Sequence, residues 1–456
     1  MSSSTDEANG IDRWWTTLET NPAAVVRDAL YDRIPLTGDD LSLIATPEFQ
    51  RLDRIQQLGF VSRIWPGAKH TRLEHSLGVM HLARQAALHL SRQPAGNWIT
   101  LDDIRTVSAA ALLHDIGHYP FSHAIEELGP PIQPHEEAGR RLIESGSINE
   151  ALTDRNLEPA RIAALIHGDR DELPERDRLL FQILSGTLDV DKLDYLPRDA
   201  RACHVPYGGV DTARLLASLR IETITEPGTD VPTERIVVGP KGVSPLHSLI
   251  NARQEMFDNV YWHHTNRTCM VMLLCAVQEA MQQRAIEPDD LWQMDDTTLL
   301  NRLREPSMPP GARRLADALA TREFHKRAVE VSNRATELYG RLGNLWFDQH
   351  ARRTVELQLT SALSARLSRP IDDTAILIDI PKPEKWKADV WVAYDSPPVG
   401  MQPLMSWRDV VGLSDDDFKQ YEEHRRLIRI VTEPSLREIV AEEWESLLYP
   451  LLGGVF

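Results

Sequence analysis

Eight of the sixteen histidines fall between positions 70 and 135: His70, His75, His81, His89, His114, His118, His123 and His135. The densest stretch reads ALLHDIGHYPFSHAIEE. There a His-Asp pair, His114 and Asp115, closes a very apolar run, and Gly117, His118, Pro120 and His123 follow at once. An imidazole beside a carboxylate at a buried helix end offers one neutral and one anionic donor, a mixture that suits a borderline divalent ion such as Zn, Fe, Mn or Co. A lone histidine is more often satisfied by a hydrogen bond than by a metal. Several polar rings crowded at the end of an apolar helix are different, because burying them without partners is costly.

The elements that must hold these residues are helical. Thr46 caps a helix that starts at Pro47, with Phe49, Leu52, Ile55 and Leu58 at helical spacing up to Gly59. His75 to Leu90 reads as a second helix and Leu101 to Ile116 as a third, capped by Thr100. Further helical patterns cover 135–145, 158–167, 176–196, 243–284, 296–303, 310–340 and 342–368. Two stretches alternate instead: Leu219 to Val238 reads as a β-hairpin around a Pro-Gly turn, and Ala375 to Tyr394 as strands around a Pro/Lys-rich loop. Helices at 406–425 and 434–448 then flank a short strand at 427–431. Residues 1 to about 10 are expected to lack structure. The chain reads as mainly α: an N-terminal segment over 1–40, a helical bundle core with a β-hairpin insertion over 41–370, and a small α+β lobe over 371–456.

Three segments, TRLEHSLGV, ALLHDIGHYPFSHAIE and GTLDVDKLDYLPRDA, resemble the signatures of HD-domain phosphohydrolases. They are most similar to those of the deoxynucleoside triphosphate triphosphohydrolases, the group holding bacterial dGTPases and the animal SAM-and-HD-domain enzyme. The resemblance runs from about residue 46 to 268, more loosely beyond, and includes no SAM domain. It implies an all-α HD core and a divalent transition metal (Fe, Mn, Zn or Co) on His75, His114, Asp115 and Asp191, with Mg accompanying a substrate triphosphate. Two imidazoles and two carboxylates leave such an ion near neutral, with positions open for water and a phosphate oxygen. It further implies that His118 and His123, with Glu126 one turn on, serve in proton transfer or in-line attack, and that His135 lies near the phosphates. An imidazole held by a carboxylate is a sound general acid for an oxygen leaving group.

On the substrate side, the resemblance puts Arg72, Lys192, Tyr195 and Arg253 near the phosphates, His264 at a substrate-binding place where a basic residue is usual, Asp199 near the sugar 3′-hydroxyl, and Gln57 and Leu58 beside the sugar. Tyr261 would close over the 2′ carbon, excluding a ribose hydroxyl. From the residues alone, Leu58 and Tyr261 read as core packing and His135 equally well as a helix start. Asp191, Tyr195 and Asp199 share a helix face at i, i+4 and i+8, but Pro197 should kink or end that helix. In the segment ATPEFQRLD, Gln50 is kept while Ala45 and Asp53 stand where the animal enzymes read a guanine activator with Asp and Arg. Constitutive activity or another activator is implied.

The bulk numbers narrow the classes. A formal net charge of -18 and a pI near 5.4 argue against an extended grip on nucleic acid, though a local basic cluster can still hold a small anion. Cys203, Cys269 and Cys275 form no CxxC pair, which points away from a disulfide framework or thiolate zinc site. No apolar run reaches membrane-spanning length, and a cytoplasmic protein acting on a nucleotide is the reading. A tetramer or hexamer of identical subunits follows by analogy only. Two other functions remain open: an HD-type phosphodiesterase or nucleotidase for cyclic or signalling nucleotides or short oligonucleotides, and a non-catalytic nucleotide-sensing assembly subunit.

Overall fold

A computed structural model describes residues 2–225, 231–382, 389–414, 416–417 and 424–452. In chain order the elements are α1 (Ser2–Thr20), β1 (Ala24–Asp28), β2 (Asp32–Leu36), α2 (Gly38–Ile44), α3 (Pro47–Arg51), α4 (Arg72–Ser91), α5 (Leu101–Leu113), α6 (His135–Glu144), α7 (Gly146–Asp154), α8 (Pro159–His167), α9 (Glu175–Leu184), α10 (Val190–Cys203) and α11 (Thr212–Leu216). After them come β3 (Leu219–Thr225), β4 (Pro232–Val238), α12 (Val243–Met256), α13 (His264–Gln282), α14 (Asp296–Leu303), α15 (Pro310–Thr321), β5 (Lys326–Val331), α16 (Thr336–Asn344) and α17 (Gln349–Leu367). The chain then adds β6 (Ile376–Asp379), β7 (Trp391–Ala393), β8 (Leu404–Ser406), α18 (Trp407–Val411), β9 (Ile428–Thr432) and α19 (Arg437–Leu452). The fold is mainly α with small sheets, as the patterning predicts.

The core that positions the site is α4 packed on α5 and α10. Thr100 starts α5 with a reciprocal cap: its hydroxyl accepts from the Asp103 amide while the Asp103 carboxylate accepts from the Thr100 amide. From Ile104 to Leu113 the helix is then almost wholly buried. Small residues on α4, among them Ala83, Ala86 and Ala87, let the neighbouring helices approach closely.

Several expectations are corrected. The N-terminal residues join α1, whose Ile11 and Leu18 are buried. The first core helix stops at Arg51, with a 3-10 turn at Leu52–Arg54 and another at Gly59–Arg63. The 176–196 pattern is two helices separated by a loop at Ser185–Asp189, and the 243–284 pattern is broken by a π turn at Phe257–Tyr261. Within 310–340, KRAVEV forms β5, because Val329 and Val331 fill an apolar layer against β9 that no local helical contact would provide. Helix α10 runs on through Pro197, so Asp191, Tyr195 and Asp199 do share one helix. The hairpin turn at 226–230, most of the Pro/Lys-rich loop at 383–388 and part of the 406–425 stretch lie outside the described residues.

The strands are interleaved in sequence. One sheet has the order β3-β4-β7-β8, with β4 and β7 parallel at Val238 and Val392; another has the order β5-β9-β6, with Ile378 opposite Ile430. Each sheet therefore draws strands from both sides of residue 370. Cys203, Cys269 and Cys275 are free and buried. Among the described residues, no helix is long and apolar enough to cross a membrane.

Candidate metal centre and its surroundings

Four side chains converge where α4, α5 and α10 meet. His75 sits in the first turn of α4, His114 is the C-cap of α5 with Asp115 next, and Asp191 lies in the first turn of α10. The His75 Nε2 atom is 3.0 Å from an Asp191 oxygen and 3.6 Å from one of Asp115, while His114 Nε2 is 3.7 Å and 3.4 Å from the same two carboxylates. Gly117 allows the turn after Asp115 to tuck under α6, since a Cβ there would lie 2.1 Å from the His135 carbonyl oxygen.

The ring orientations suit a cation. Nδ1 of His75 is 2.8 Å from Asp194 Oδ2, and Nδ1 of His114 is 2.8 Å from the Ala111 carbonyl. A carboxylate and a carbonyl only accept, so both Nδ1 atoms carry the hydrogen and both Nε2 lone pairs face the carboxylates. The His114 Nε2 atom is buried and has no hydrogen-bond partner among the described residues. Lone pair facing lone pair at such distances is repulsive unless positive charge sits between them. The same demand shows in protonation. Burial works against a charged His75, yet Asp191, Asp194 and Asp115 overcome it and push its pKa up to about 10. Asp115 is wholly buried, which favours its acid form, but Arg72, His114 and His118 hold it far below the usual carboxylate range. The residues thus fit a divalent ion.

Behind His75 stands a chain of fixed charges. Arg198 donates to both oxygens of Asp194 and to Asp28, and the Tyr31 hydroxyl donates to Asp194 at 2.7 Å. Gly78 makes the room, because a Cβ there would fall 2.0 Å from Asp194 Oδ1.

A second cluster adjoins the first through His118, whose Nε2 lies 3.1 Å from Asp115. The rings of His118 and His135 stack at 3.8 Å, and His123 stands edge-on to both. Glu126 holds the group together: one oxygen is 3.0 Å from His123 Nδ1, while the other is 2.5 Å from His135 Nδ1 and accepts the His135 amide. Burial opposes charge on His135, but the Glu126 carboxylate outweighs it and raises the pKa. His118 is pushed well down, first by burial and then by Arg72, so it is neutral. The His123 side chain is 65% exposed against 1% for His118 and 15% for His135. Only His123 of the three opens widely to solvent.

The remaining predicted residues divide. Tyr195 stands edge-on to His75, and burial pushes its pKa up to about 12 against the opposing pull of Arg253 and Lys192. Asp199 accepts from the Tyr261 hydroxyl and meets His70 Nε2, both at 2.7 Å. Gln57 and Leu58 lie on the loop whose carbonyls accept from Ser122, and Gln57 Oε1 is buried without a hydrogen-bond partner among the described residues. Arg72 spans Asp115 at 2.5 Å and Ser122 at 3.1 Å. Lys192 is turned back to Asp189 and the Gly186 carbonyl, and Arg253 lies over the Phe257 ring. His264 is not brought to the cluster: it stacks on His263 beside Arg327 and Arg429, and burial with those cations lowers its pKa.

Residues 72–198 match the HD domain family, and 210–396 match the HD associated region. The chain is an HD-domain protein. It is similar to an uncharacterised protein of Methanocaldococcus jannaschii, 34% identical over 280 residues, which are 61% of this chain and 55% of that one. It is similar also to the deoxynucleoside triphosphate triphosphohydrolase SAMHD1 of Homo sapiens, 29% identical over 285 residues, 56% of this chain and 44% of that protein. The chain spans about half the length of the curated relatives it matches. A crystal structure of a hypothetical protein from Aquifex aeolicus superposes with a TM-score of 0.68 at 24% identity, covering 92% of this chain and 99% of that one, and shares the fold.

In this HD-domain protein the second layer escaped sequence reasoning. Asp194 had a signal, lying one turn after Asp191 on the same helix, and Arg198 lies one turn further. Tyr31 and Asp28 had none, since their proximity is purely tertiary. Asp194→Asn is expected to weaken divalent-metal affinity by about 10–100-fold, because the His75 ring loses the negatively charged acceptor that fixes it and raises its basicity. A metal titration of the variant at neutral pH checks this, and unchanged affinity would remove Asp194 from the metal centre.

Proposed function

We propose that the chain is a metal-dependent phosphohydrolase that cleaves deoxynucleoside triphosphates to deoxynucleoside and inorganic triphosphate. The observation that carries this is the contact between the two clusters: the four candidate ligands touch, through His118 on Asp115, a histidine-glutamate group ending in the exposed His123. A divalent ion on His75, His114, Asp115 and Asp191 supplies Lewis acidity toward a phosphoryl oxygen and acidifies water. The chain's own residues do the rest. Water adds to the α-phosphorus as the bond to the sugar 5′-oxygen breaks, and His123, steadied by Glu126, gives that oxygen its proton. Tyr195 borders the phosphates, and Tyr261, pinned by Asp199, closes on the sugar with Leu58 and Gln57.

The test is product identity. Protein loaded with Mn²⁺ or Fe²⁺ is incubated with each of the four deoxynucleoside triphosphates, alone and mixed, and the products are separated by anion exchange. Deoxynucleoside plus triphosphate is expected, and no triphosphate from any mixture refutes the reading. Tyr261→Ala is expected to relax discrimination against ribonucleotides by about 10–100-fold in kcat/KM. Equal rejection by the variant would reassign Tyr261 to packing.

One observation favours a second reading. His118, His123, Glu126 and His135 offer four further donor atoms within 4.8 Å of one another. Two bound ions per chain, with turnover of a cyclic or oligonucleotide phosphodiester, would select that alternative.

A further inference from the structure

His123 stands on a 3-10 turn, Ser122–Leu128, that is entered through an unfavourable backbone. Phe121 (φ 58°, ψ 25°) and Ser122 (φ 59°) are successive non-glycine residues in the left-handed region. Residues with a Cβ rarely adopt it, so such a pair holds only where the surroundings fix it. A buried ionic side chain fastens each end of the turn, and both come from the HD associated region rather than from the HD domain.

At the entrance, Asp296 Oδ1 accepts the Phe121 amide at 2.6 Å while Oδ2 accepts the Gln56 amide at 3.0 Å. One carboxylate thereby joins the His123 turn to the segment carrying Gln57 and Leu58. The Ser122 hydroxyl repeats the join by donating to the Gln56 carbonyl at 2.9 Å. Asp296 opens α14, and that helix start is itself held: Asp295 and Thr298 cap it reciprocally, and Arg51 donates to the Met294 and His118 carbonyls. Burial pushes the Asp296 pKa up to about 6 against the pull of the two amides, which leaves a carboxylate at neutral pH. At the exit, Arg267 of α13 donates to the two oxygens of Glu127 at 2.7 and 3.1 Å, and to Asp379 of β6 at 2.6 and 2.9 Å. The Arg267, Glu127 and Asp379 side chains are 6%, 9% and 1% exposed, so solvent screens this forked pair little. Glu127 directly follows Glu126, the carboxylate that holds His123 and His135.

We infer that the HD associated region sets where His123 stands, with Asp296 and Arg267 as positioning residues acting through the Phe121 amide and the Glu127 carboxylate. The leaving-group role of His123 rests on the function proposed above; the fastening of its turn does not.

Hydrogen–deuterium exchange of the full chain, read on peptides spanning 54–58 and 119–128, tests the fastening. Asp296→Asn turns an NH₂ group toward one of the two amides. Exchange in both peptides is expected to quicken by at least about tenfold, with α5 and α10 as in the unaltered chain. Glu127→Gln is expected to quicken the 119–128 peptide alone. Unchanged exchange there in both variants overturns the proposal, as does equal quickening throughout the core, which marks a general loss of stability. Turnover separates positioning from stability. Asp296→Asn is expected to lower kcat for deoxynucleoside triphosphates at least about tenfold with the metal retained. Bis(p-nitrophenyl) phosphate, whose phenolate leaves without a proton, is expected to be cleaved within about threefold of the unaltered rate. Equal losses on the two substrates overturn the positioning role. Should Asp296→Asn fail to fold by circular dichroism, Glu127→Gln carries the same comparisons. If the unaltered chain releases no triphosphate, the proposed function fails while exchange still decides the fastening.

Discussion

Asp115→Asn is expected to lose the divalent ion and at least about 10³-fold in turnover, since a catalytic metal contributes several kcal/mol of transition-state stabilisation. The site explains why this residue outweighs its neighbours. One Asp115 oxygen faces His114 and His118, and the other faces His75 and Arg72, so a single carboxylate touches the candidate metal donors and the histidine-glutamate cluster together. An amide there would turn an NH₂ group toward an imidazole or toward a buried guanidinium. Folding should survive, because the isosteric change keeps the volume and the apolar α5 packing stays as it is. Metal content by mass spectrometry after loading with Mn²⁺, together with product formation, gives the answer. Full metal occupancy with normal turnover would remove Asp115 from the centre.

His123→Ala is expected to separate the two losses: metal retained, turnover down by about 10²–10⁴-fold. Exposure decides between the histidines. His118 is buried, neutral and committed to Asp115, and His135 is held by two contacts to one Glu126 oxygen. His123 has a carboxylate behind it and solvent before it, as a proton donor to a leaving oxygen needs. The same metal analysis on the alanine variant checks retention, and single-turnover rates measure the step. Unchanged turnover would move proton donation elsewhere in the cluster.

Much of this was legible in the residues. The apolar run into His114 and Asp115 predicted a buried helix end, and the structure builds one. The carried-over positions His75 and Asp191 arrive at the same place because α4 and α10 both pack on that core. What escaped was tertiary in origin. No local pattern tells that Tyr31, on the short connection after β1, reaches Asp194, or that Arg72 serves Asp115. Helix periodicity over 310–340 hid β5, since alternating Val329 and Val331 make sense only once β9 lies alongside. Pro197 looked like a break, yet packing keeps α10 helical through it.

The pairing of Val238 with Val392 and of Arg327 with Val431 has a consequence for biosynthesis. The central part of the polypeptide cannot complete either sheet until the last strands have left the ribosome, and such long-range pairings form slowly. The nascent chain therefore waits with β4 and β5 as open edges, and a premature stop after residue 370 would yield templates for aggregation rather than a trimmed protein.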